Sequence, residues 1–196
     1  LNVQGSIAQD IVQDMISASH PYAALAIPDL ANAVNVPEAE PFFYYMPDDP
    51  ALGSYRQKFS NQVVSLELRE PTINGENAKS TAKIIEQFIE DNDDRIDEEE
   101  VLRARLLDMY IADFDRHFDQ WKWGTSDTGE GKVYYAIPRD RDQAFFNSNG
   151  LLLELASFRL LPFLKGFKSD YRSIVWFNYV ERDFDRFFLN RLDRQT

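Results

Sequence analysis

Two short acidic segments of the chain contain the residue types that catalysis and metal binding use. The first acidic segment, residues 113–121, reads DFDRHFDQW, and the second acidic segment, residues 138–146, reads PRDRDQAFF. In the first segment Asp115 is followed five positions later by Gln120, and the second contributes Asp140 and Asp142. Phosphoryl transfer requires a carboxylate near the incoming hydroxyl, together with carboxylate or amide oxygens that hold a divalent cation on the phosphates.

The order of these residues along the chain follows that of protein kinases. In kinases the catalytic Asp is followed five positions later by a metal-binding Asn, and a second Asp follows on the next hairpin. A Gly-rich turn and a strand separate the two segments here, so both are expected at the same end of one hairpin. Their oxygen donors suit Mg²⁺, Mn²⁺ or Ca²⁺ rather than zinc. The pattern predicts that Asp115, Gln120 and either Asp140 or Asp142 face one cleft.

The same residues also admit a purely structural interpretation. Arg116, Arg139 and Arg141 alternate with the acids, and such alternation is common on protein surfaces. In this interpretation the arginines form ion pairs with the aspartates of their own segments. The pairs would then clasp the hairpin to the preceding helix.

Composition excludes several other kinds of function. The 196 residues carry a formal net charge of −12, which argues against a nucleic-acid groove or an anionic lipid surface. The chain has no Cys and only two histidines, so disulfides, a thiolate nucleophile and a His-based zinc site are not expected. No apolar run is long enough for direct membrane insertion. Nine acids in residues 86–100 are interpreted as a solvated turn and the negatively charged start of a helix.

The elements that must hold the two acidic segments are predicted from hydrophobic periodicity and proline boundaries. With 44% hydrophobic and 14% aromatic residues, the chain predicts one packed α+β domain that is mostly helical and has its tryptophans in the core. Strands are predicted at 42–46, 63–68 and 132–137. Helices are predicted at 6–19, 28–34, 79–90 and 98–112, and over 151–164 and 171–192. The long helix at 98–112 is expected to bury Leu102, Leu106, Met109 and Tyr110.

Both acidic segments resemble those of a known group of enzymes. The string DRHFDQW, residues 115–121, resembles the catalytic loop of atypical kinase-like families: type II phosphatidylinositol 4-kinases, secretory-pathway casein-type kinases and spore-coat CotH-like kinases. The string DRDQAF, residues 140–145, resembles their metal-binding loop. More closely, the whole chain resembles a domain of large Bacteroidetes cell-envelope proteins, where it lies between a calcineurin-like metallophosphoesterase and a Bam-type surface-antigen barrel. Residues 8–24, 45–53 and 104–145 carry this likeness.

The resemblance implies a role for individual residues. Asp115 would be the catalytic carboxylate that orients or deprotonates the acceptor hydroxyl. The metal ligands implied are Gln120 with Asp140 or Asp142, which would hold Mg²⁺ or Mn²⁺ on the phosphates of ATP. The acid that pairs with the nucleotide-anchoring Lys would correspond to Asp10 or Asp14.

The resemblance also implies a lobe organisation and a larger parent protein. Residues 1–70 would be the remnant of an N-terminal lobe with its hinge, and residues 71–196 a helical C-terminal lobe with the catalytic-loop hairpin. The Gly-rich loop and the Lys-bearing strand would precede residue 6, so this fragment of a phosphotransferase is expected to be inactive alone and to bind no metal-nucleotide. The parent is expected to be an extracytoplasmic protein of the periplasm or outer membrane. The alternative is a non-catalytic structural or protein-binding module of such a protein.

Overall fold

The computed structural model describes residues 13, 16–67, 72–73, 76–147, 163–164, 166–171 and 174–192. Its helices are α1 (Ala23–Ala33), α2 (Arg56–Phe59), α3 (Thr81–Glu90), α4 (Glu98–Tyr110) and α5 (Arg182–Phe188). Its strands are β1 (Phe42–Met46), β2 (Gln62–Leu66), β3 (Thr72–Ile73), β4 (Glu76–Asn77), β5 (Lys79–Ser80), β6 (Arg95–Ile96), β7 (Trp121–Asp127) and β8 (Lys132–Pro138). Short 3-10 turns occupy Pro50–Tyr55, Phe118–Gln120 and Val175–Asn178. The α+β class is confirmed.

The largest sheet among the described residues has four strands in the order β5-β7-β8-β6. The β7–β8 hairpin forms its centre, with Trp121 opposite Pro138 at one end and Asp127 opposite Lys132 at the turn. β5 pairs antiparallel with β7, and β6 runs parallel to β8. β1 and β2 form a separate antiparallel hairpin, and β3 and β4 form another. The hairpin predicted between the two acidic segments is therefore confirmed.

The core lies between the β7–β8 hairpin and the helices around it. Trp121 stacks on Phe184 of α5, and Trp123 stacks on Phe188, each with ring centroids 4.6 Å apart. The indole N–H of Trp123 donates to Thr81 Oγ1 at 3.0 Å, which satisfies the one polar atom of that side chain. Both indoles are buried, as predicted, whereas Trp176 is partly exposed. These rings fix α5 against the end of the hairpin that carries the two acidic segments.

Three sequence expectations about helices need correction. In the described part of the range 171–192, which is predicted to be helical, only the 3-10 turn at Val175–Asn178 and α5 are helical. α1 begins five residues before the predicted start at Pro28 and contains that proline. Pro28 removes one helical hydrogen bond, but the earlier start lets Ala23 and Ile27 join the core. α4 has nearly the predicted bounds, yet Leu106 is 54% and Tyr110 67% exposed. The buried face of α4 is instead formed by Val101, Ala104, Arg105, Leu107 and Asp108.

Several expectations fall partly or wholly outside the described residues. Within residues 6–19, the described residues 13 and 16–18 are helical. The helix predicted at 151–164 lies outside the described residues, except for residues 163 and 164. No helix in the described ranges has the length and apolarity that crossing a bilayer requires.

The turn between β7 and β8 contains a glycine that both backbone and space require. Gly131 has a φ of +128°, and an added Cβ would collide with the backbone carbonyl of Asp93. We expect Gly131→Ala to lower the free energy of unfolding by about 2 kcal/mol, because both strain and a backbone clash must be relieved. Urea denaturation measures this change. Gly129→Ala is the matched control, since Gly129 has a φ of +80° but open space around it, and it should lose about 1 kcal/mol. Equal losses in the two variants would contradict the predicted clash.

Candidate functional site

The two acidic segments meet at the base of the β7–β8 hairpin. Gln120 directly precedes β7, and Arg139 directly follows β8. The backbone N–H of Arg139 donates to the carbonyl oxygen of Gln120 at 2.9 Å, which extends the hairpin ladder by one bond. This adjacency, predicted from the order of elements, is confirmed.

The first acidic segment is shaped by hydrogen bonds at the end of α4. Ala112 has a φ of +55°, which ends the helix and turns the chain back. The N–H of Asp113 then donates to the carbonyl of Asp108 at 2.9 Å, and the N–H of Asp115 donates to the Asp113 carboxylate at 3.3 Å. Asp115 is left half-buried, whereas Gln120 is buried in the following 3-10 turn.

The second acidic segment turns sharply so that alternate side chains point in different directions. Asp140 has a φ of +58°, in the left-handed region that aspartate tolerates better than most residues. Asp140 and Asp142 are exposed, while Arg141 between them is 3% exposed. The segment thus presents two carboxylates outward and sends one guanidinium inward.

That guanidinium enters a buried arginine cluster, by which we mean Arg105, Arg116 and Arg141 around the carboxylate of Asp108. Arg141 Nε lies 2.9 Å from Asp108 Oδ1. Arg105 Nη1 and Arg116 Nε lie 3.0 and 3.4 Å from Asp108 Oδ2. Burial tends to raise the pKa of Asp108, but the three arginines hold it below its usual value. Asp108 is therefore ionised and serves as the common anion for all three cations.

Further carboxylates complete the arginine cluster. Arg141 also forms a very close ion pair with Glu38, in the connection between α1 and β1. Arg105 reaches Asp185 of α5 at 2.7 Å, and Arg116 lies 3.8 Å from Asp113. The cluster therefore ties both acidic segments to α4, to α5 and to the connection that leads to the β1–β2 hairpin.

These partners confirm the clasp between the hairpin and α4 but not the acids expected to form it. The arginines of the segments pair with Asp108, Asp113, Glu38 and Glu67, the last at 2.7 Å from Arg139. In the part of the chain that the structure describes, no ion pair involves Asp115, Asp140 or Asp142. The three carboxylates named from the sequence thus have no arginine partner in the described structure, although arginines flank them in sequence.

The three carboxylates are close enough to affect one another. The pKa of Asp142 is raised, first by partial desolvation of its carboxylate although the residue as a whole is exposed, and then by the negative charges of Asp140 and Asp115. Asp140 and Asp115 thus lie near enough to disfavour the charge on Asp142, and a cation beside Asp142 would relieve that repulsion. Asp142 also accepts a hydrogen bond from the side-chain amide of Gln143 at 3.1 Å.

Asp140 and Asp142 line a cleft of about 430 Å³. The β1–β2 hairpin contributes Phe43, Ser65 and, just after β2, Glu67 to its lining. The remaining lining residues are His20, Pro21, Ala23, Ala24, Pro41 and Arg141. The cleft has the size of a small-ligand site, and its lining includes carboxylates and an aromatic ring.

The donor set suits a cation that also binds phosphates better than one held by protein alone. Among the described residues no three carboxylate or imidazole groups lie close enough together to hold a metal ion. Mg²⁺ in nucleotide sites needs only one or two protein carboxylates, because phosphate oxygens and water supply the rest. Asp140 and Asp142 can fill that role. The described residues therefore form no metal cage of their own, and a cation at Asp140 and Asp142 would need further oxygen ligands, such as phosphate or water.

The site residues expected from the sequence are only partly brought together. Asp140 and Asp142 line the cleft, and Asp115 lies within electrostatic range of Asp142. Gln120 is 5% exposed and is not among the lining residues, although its buried Oε1 accepts no hydrogen bond in the described structure. The other two candidates, Asp10 and Asp14, lie outside the described residues.

Sequence reasoning missed the arginine cluster. The available signal was the i,i+3 pair Arg105 and Asp108, which lies at helical spacing with Val101 and Ala104. Charged residues on the apolar stripe of a helix indicate a buried ion network when they can reach partners on other elements. Their partners here, Arg116, Arg141 and Asp185, come from distant parts of the chain.

Comparison with protein-family models, with curated proteins and with solved structures finds no match for this chain. Its candidate function therefore rests on the residues and the geometry described above.

Proposed function

We propose that this chain is part of a kinase-like phosphotransferase domain whose cleft binds ATP with Mg²⁺ or Mn²⁺. One observation carries the proposal: Asp140 and Asp142 line a cleft, Asp115 lies within electrostatic range of Asp142, and among the described residues none of the three forms an ion pair although arginines flank them in sequence. The guanidinium groups of Arg116 and Arg141 are buried, whereas Asp140 and Asp142 are exposed to solvent. This arrangement leaves the two carboxylates available to bind a cation from solution. The resemblance of both acidic segments to kinase catalytic and metal-binding loops points the same way.

In this proposal each residue has a distinct task. Asp140 and Asp142 bind the divalent cation, which neutralises the phosphate charge when it is present. Asp115 accepts or orients the proton of the attacking hydroxyl. Gln120 takes the place of the metal-binding Asn, and its buried position requires the first segment to rearrange when it binds. Asp10 or Asp14 pairs with the nucleotide-anchoring Lys of the complete domain.

We further propose a larger extracytoplasmic envelope protein of the periplasm or outer membrane as the setting of this domain. Residues 1–70 then belong to the N-terminal lobe and hinge, and residues 71–196 to the C-terminal lobe. The support for this setting is the resemblance to the Bacteroidetes domain alone.

One observation favours the alternative of a protein-binding module. The β1–β2 hairpin exposes large apolar side chains, with Phe42 54%, Tyr45 62% and Val63 65% exposed. Such a patch is typical of an interaction surface. The two functions are compatible in one molecule, because the hairpin also supplies Phe43 and Ser65 to the cleft.

Mn²⁺ titration of the complete domain, which includes the nucleotide-anchoring Lys, tests the proposed function with and without ATP. We expect the double variant Asp140→Asn/Asp142→Asn to bind Mn²⁺–ATP at least about tenfold more weakly than wild type, since each carboxylate lost removes a charged ligand. Asn at position 140 tolerates the positive φ, so the backbone should persist. The matched control is Asp119→Asn, an exposed acid of the first acidic segment with no ion pair in the described structure. Equal affinity of wild type and the double variant would overturn the proposal.

A further inference from the structure

A side chain of the first acidic segment holds the backbone of the second. Arg116 is 1% exposed, and its Nη1 donates to the carbonyl oxygen of Arg139 at very close range and to that of Asp140 at 3.2 Å. Charge-assisted hydrogen bonds to two successive carbonyls fix both the position and the orientation of a peptide. The peptide fixed here is the one that enters Asp140.

Arg116 can do this because it is itself fixed on two other sides. Its Nε lies 3.4 Å from Asp108 Oδ2, and its guanidinium carbon lies 5.0 Å from the centre of the Trp121 ring. The other oxygen of Asp108 binds Arg141, at 2.9 Å. Asp108 therefore anchors one arginine from each acidic segment, one on each carboxylate oxygen.

The backbone of the second segment needs such a restraint. Asp140 has a φ of +58°, and a left-handed residue other than glycine costs on the order of 1 kcal/mol or more. Residues in this region persist where the surroundings over-determine them. The two carbonyls that Arg116 binds lie on this residue and on the one before it. The contact is therefore placed where it can hold the strained conformation.

We infer that Arg116, anchored by Asp108, is a positioning residue that holds the strained backbone at Asp140 and thereby keeps the carboxylates of Asp140 and Asp142 at the cleft. This inference rests on the proposed function for the identity of the cation. It adds that the buried guanidinium group of Arg116 fixes the geometry of the site before any ligand binds. Arg116 itself touches neither the cation nor the nucleotide.

The inference is tested with Arg116→Lys and the matched control Arg105→Lys. Arg105 binds the same Asp108 but joins it to Asp185 of α5. Both variants keep the charge and lose the planar fork. Hydrogen exchange of the complete domain without ligand is followed at the amides of Arg139 and Phe145, which lie near the two ends of the second acidic segment and donate to the carbonyl oxygens of Gln120 and Ile111.

We expect Arg116→Lys to speed exchange at these two amides and to weaken Mn²⁺–ATP binding, each by about tenfold, as for other groups that orient metal ligands. Arg105→Lys should change neither, even though it lowers the melting temperature. If Arg116→Lys fails to fold, Arg116→Gln replaces it, since Gln is a neutral donor and Asp108 keeps its other two arginines. Unchanged exchange in the folded Arg116 variant, or equal changes in both variants, would overturn the positioning role.

The two proposals fail separately in this experiment. If wild type binds no Mn²⁺–ATP but exchange rises only in the Arg116 variant, the positioning of the second segment stands and the proposed function falls. If wild type binds Mn²⁺–ATP and both variants behave alike, the proposed function stands and the positioning role falls.

Discussion

Replacing Asp108 by asparagine is expected to lower the free energy of unfolding by about 3–5 kcal/mol, the range found when one partner of a buried ion pair is removed. Asp108 is fully buried and is the shared anion of Arg105, Arg116 and Arg141. Asparagine has nearly the same shape, so the loss reports the charge and not a cavity. The three guanidinium groups would remain buried with too few anions around them.

Urea denaturation at pH 7 measures this loss, with Asp119→Asn as the control for removing an exposed acid from the same region. The control should stay within about 0.5 kcal/mol of wild type. A loss below about 1 kcal/mol for Asp108→Asn would mean that the cluster is not held by this carboxylate.

The pKa of Asp108 is lowered in the folded protein. The contribution of Asp108 to the free energy of unfolding is therefore complete above the pKa of the unfolded state, near 4, and is lost as the pH falls below that value.

Glu181→Gln is expected to make the protein more stable at pH 8, the opposite of the Asp108 variant. Glu181 is buried, and neither carboxylate oxygen accepts a hydrogen bond in the described part of the chain. Burial raises its pKa to about 7, although Arg105 and Arg116 oppose the shift. The folded state therefore keeps a proton that the unfolded state releases above about pH 4.5.

The sign of the pH dependence follows from this difference in bound protons. Between about pH 4.5 and 7 the folded state binds more protons, so the free energy of unfolding falls as the pH rises. A shift of this size is worth roughly 3 kcal/mol. Burial also raises the pKa of Glu38 and of Asp113 to about 7, which adds to the same slope. At lower pH the stabilising contribution of the Asp108 carboxylate is lost because the group becomes protonated. The free energy of unfolding is therefore expected to be greatest near pH 5.

Urea unfolding of wild type and Glu181→Gln at pH 5 and pH 8 checks this expectation. The variant should match wild type within about 0.5 kcal/mol at pH 5 and exceed it by about 1–3 kcal/mol at pH 8. Glu130→Gln, at an exposed position in the β7–β8 turn, serves as the control and should leave the slope unchanged. A variant that keeps the wild-type slope would show that Glu181 is already ionised in the folded protein.

Sequence patterns predicted the strands well where interactions between residues near in sequence determine them. β1 matches its predicted bounds because an aromatic run lies between Pro41 and Pro47. β8 extends only one residue beyond its prediction, and the tight turn before it joins it to β7. The hairpin then brings the two acidic segments together, so that much of the candidate site follows from the order of elements.

The buried face of α4 shows where local patterns fail. Periodicity favoured Leu106 and Tyr110, yet the structure buries Arg105 and Asp108. Burying these charges is favourable only because Arg116, Arg141 and Asp185 reach them from other elements. No helical pattern contains that information. The same long-range pairing decided that the arginines of the acidic segments serve the interior and leave Asp140 and Asp142 exposed.

The strand order of the central sheet has a consequence for synthesis on the ribosome. β5 and β6 leave the ribosome about forty residues before their partners in the β7–β8 hairpin, and loops of that length close at a substantial entropic cost. β5 must therefore wait without its partner while α3, α4 and the first acidic segment are made, and β6 must wait while α4 and the first acidic segment are made. The acids of residues 86–100 surround β6 during that interval. Their like charges repel other nascent copies, so the acidic stretch protects the unfinished sheet from pairing between chains.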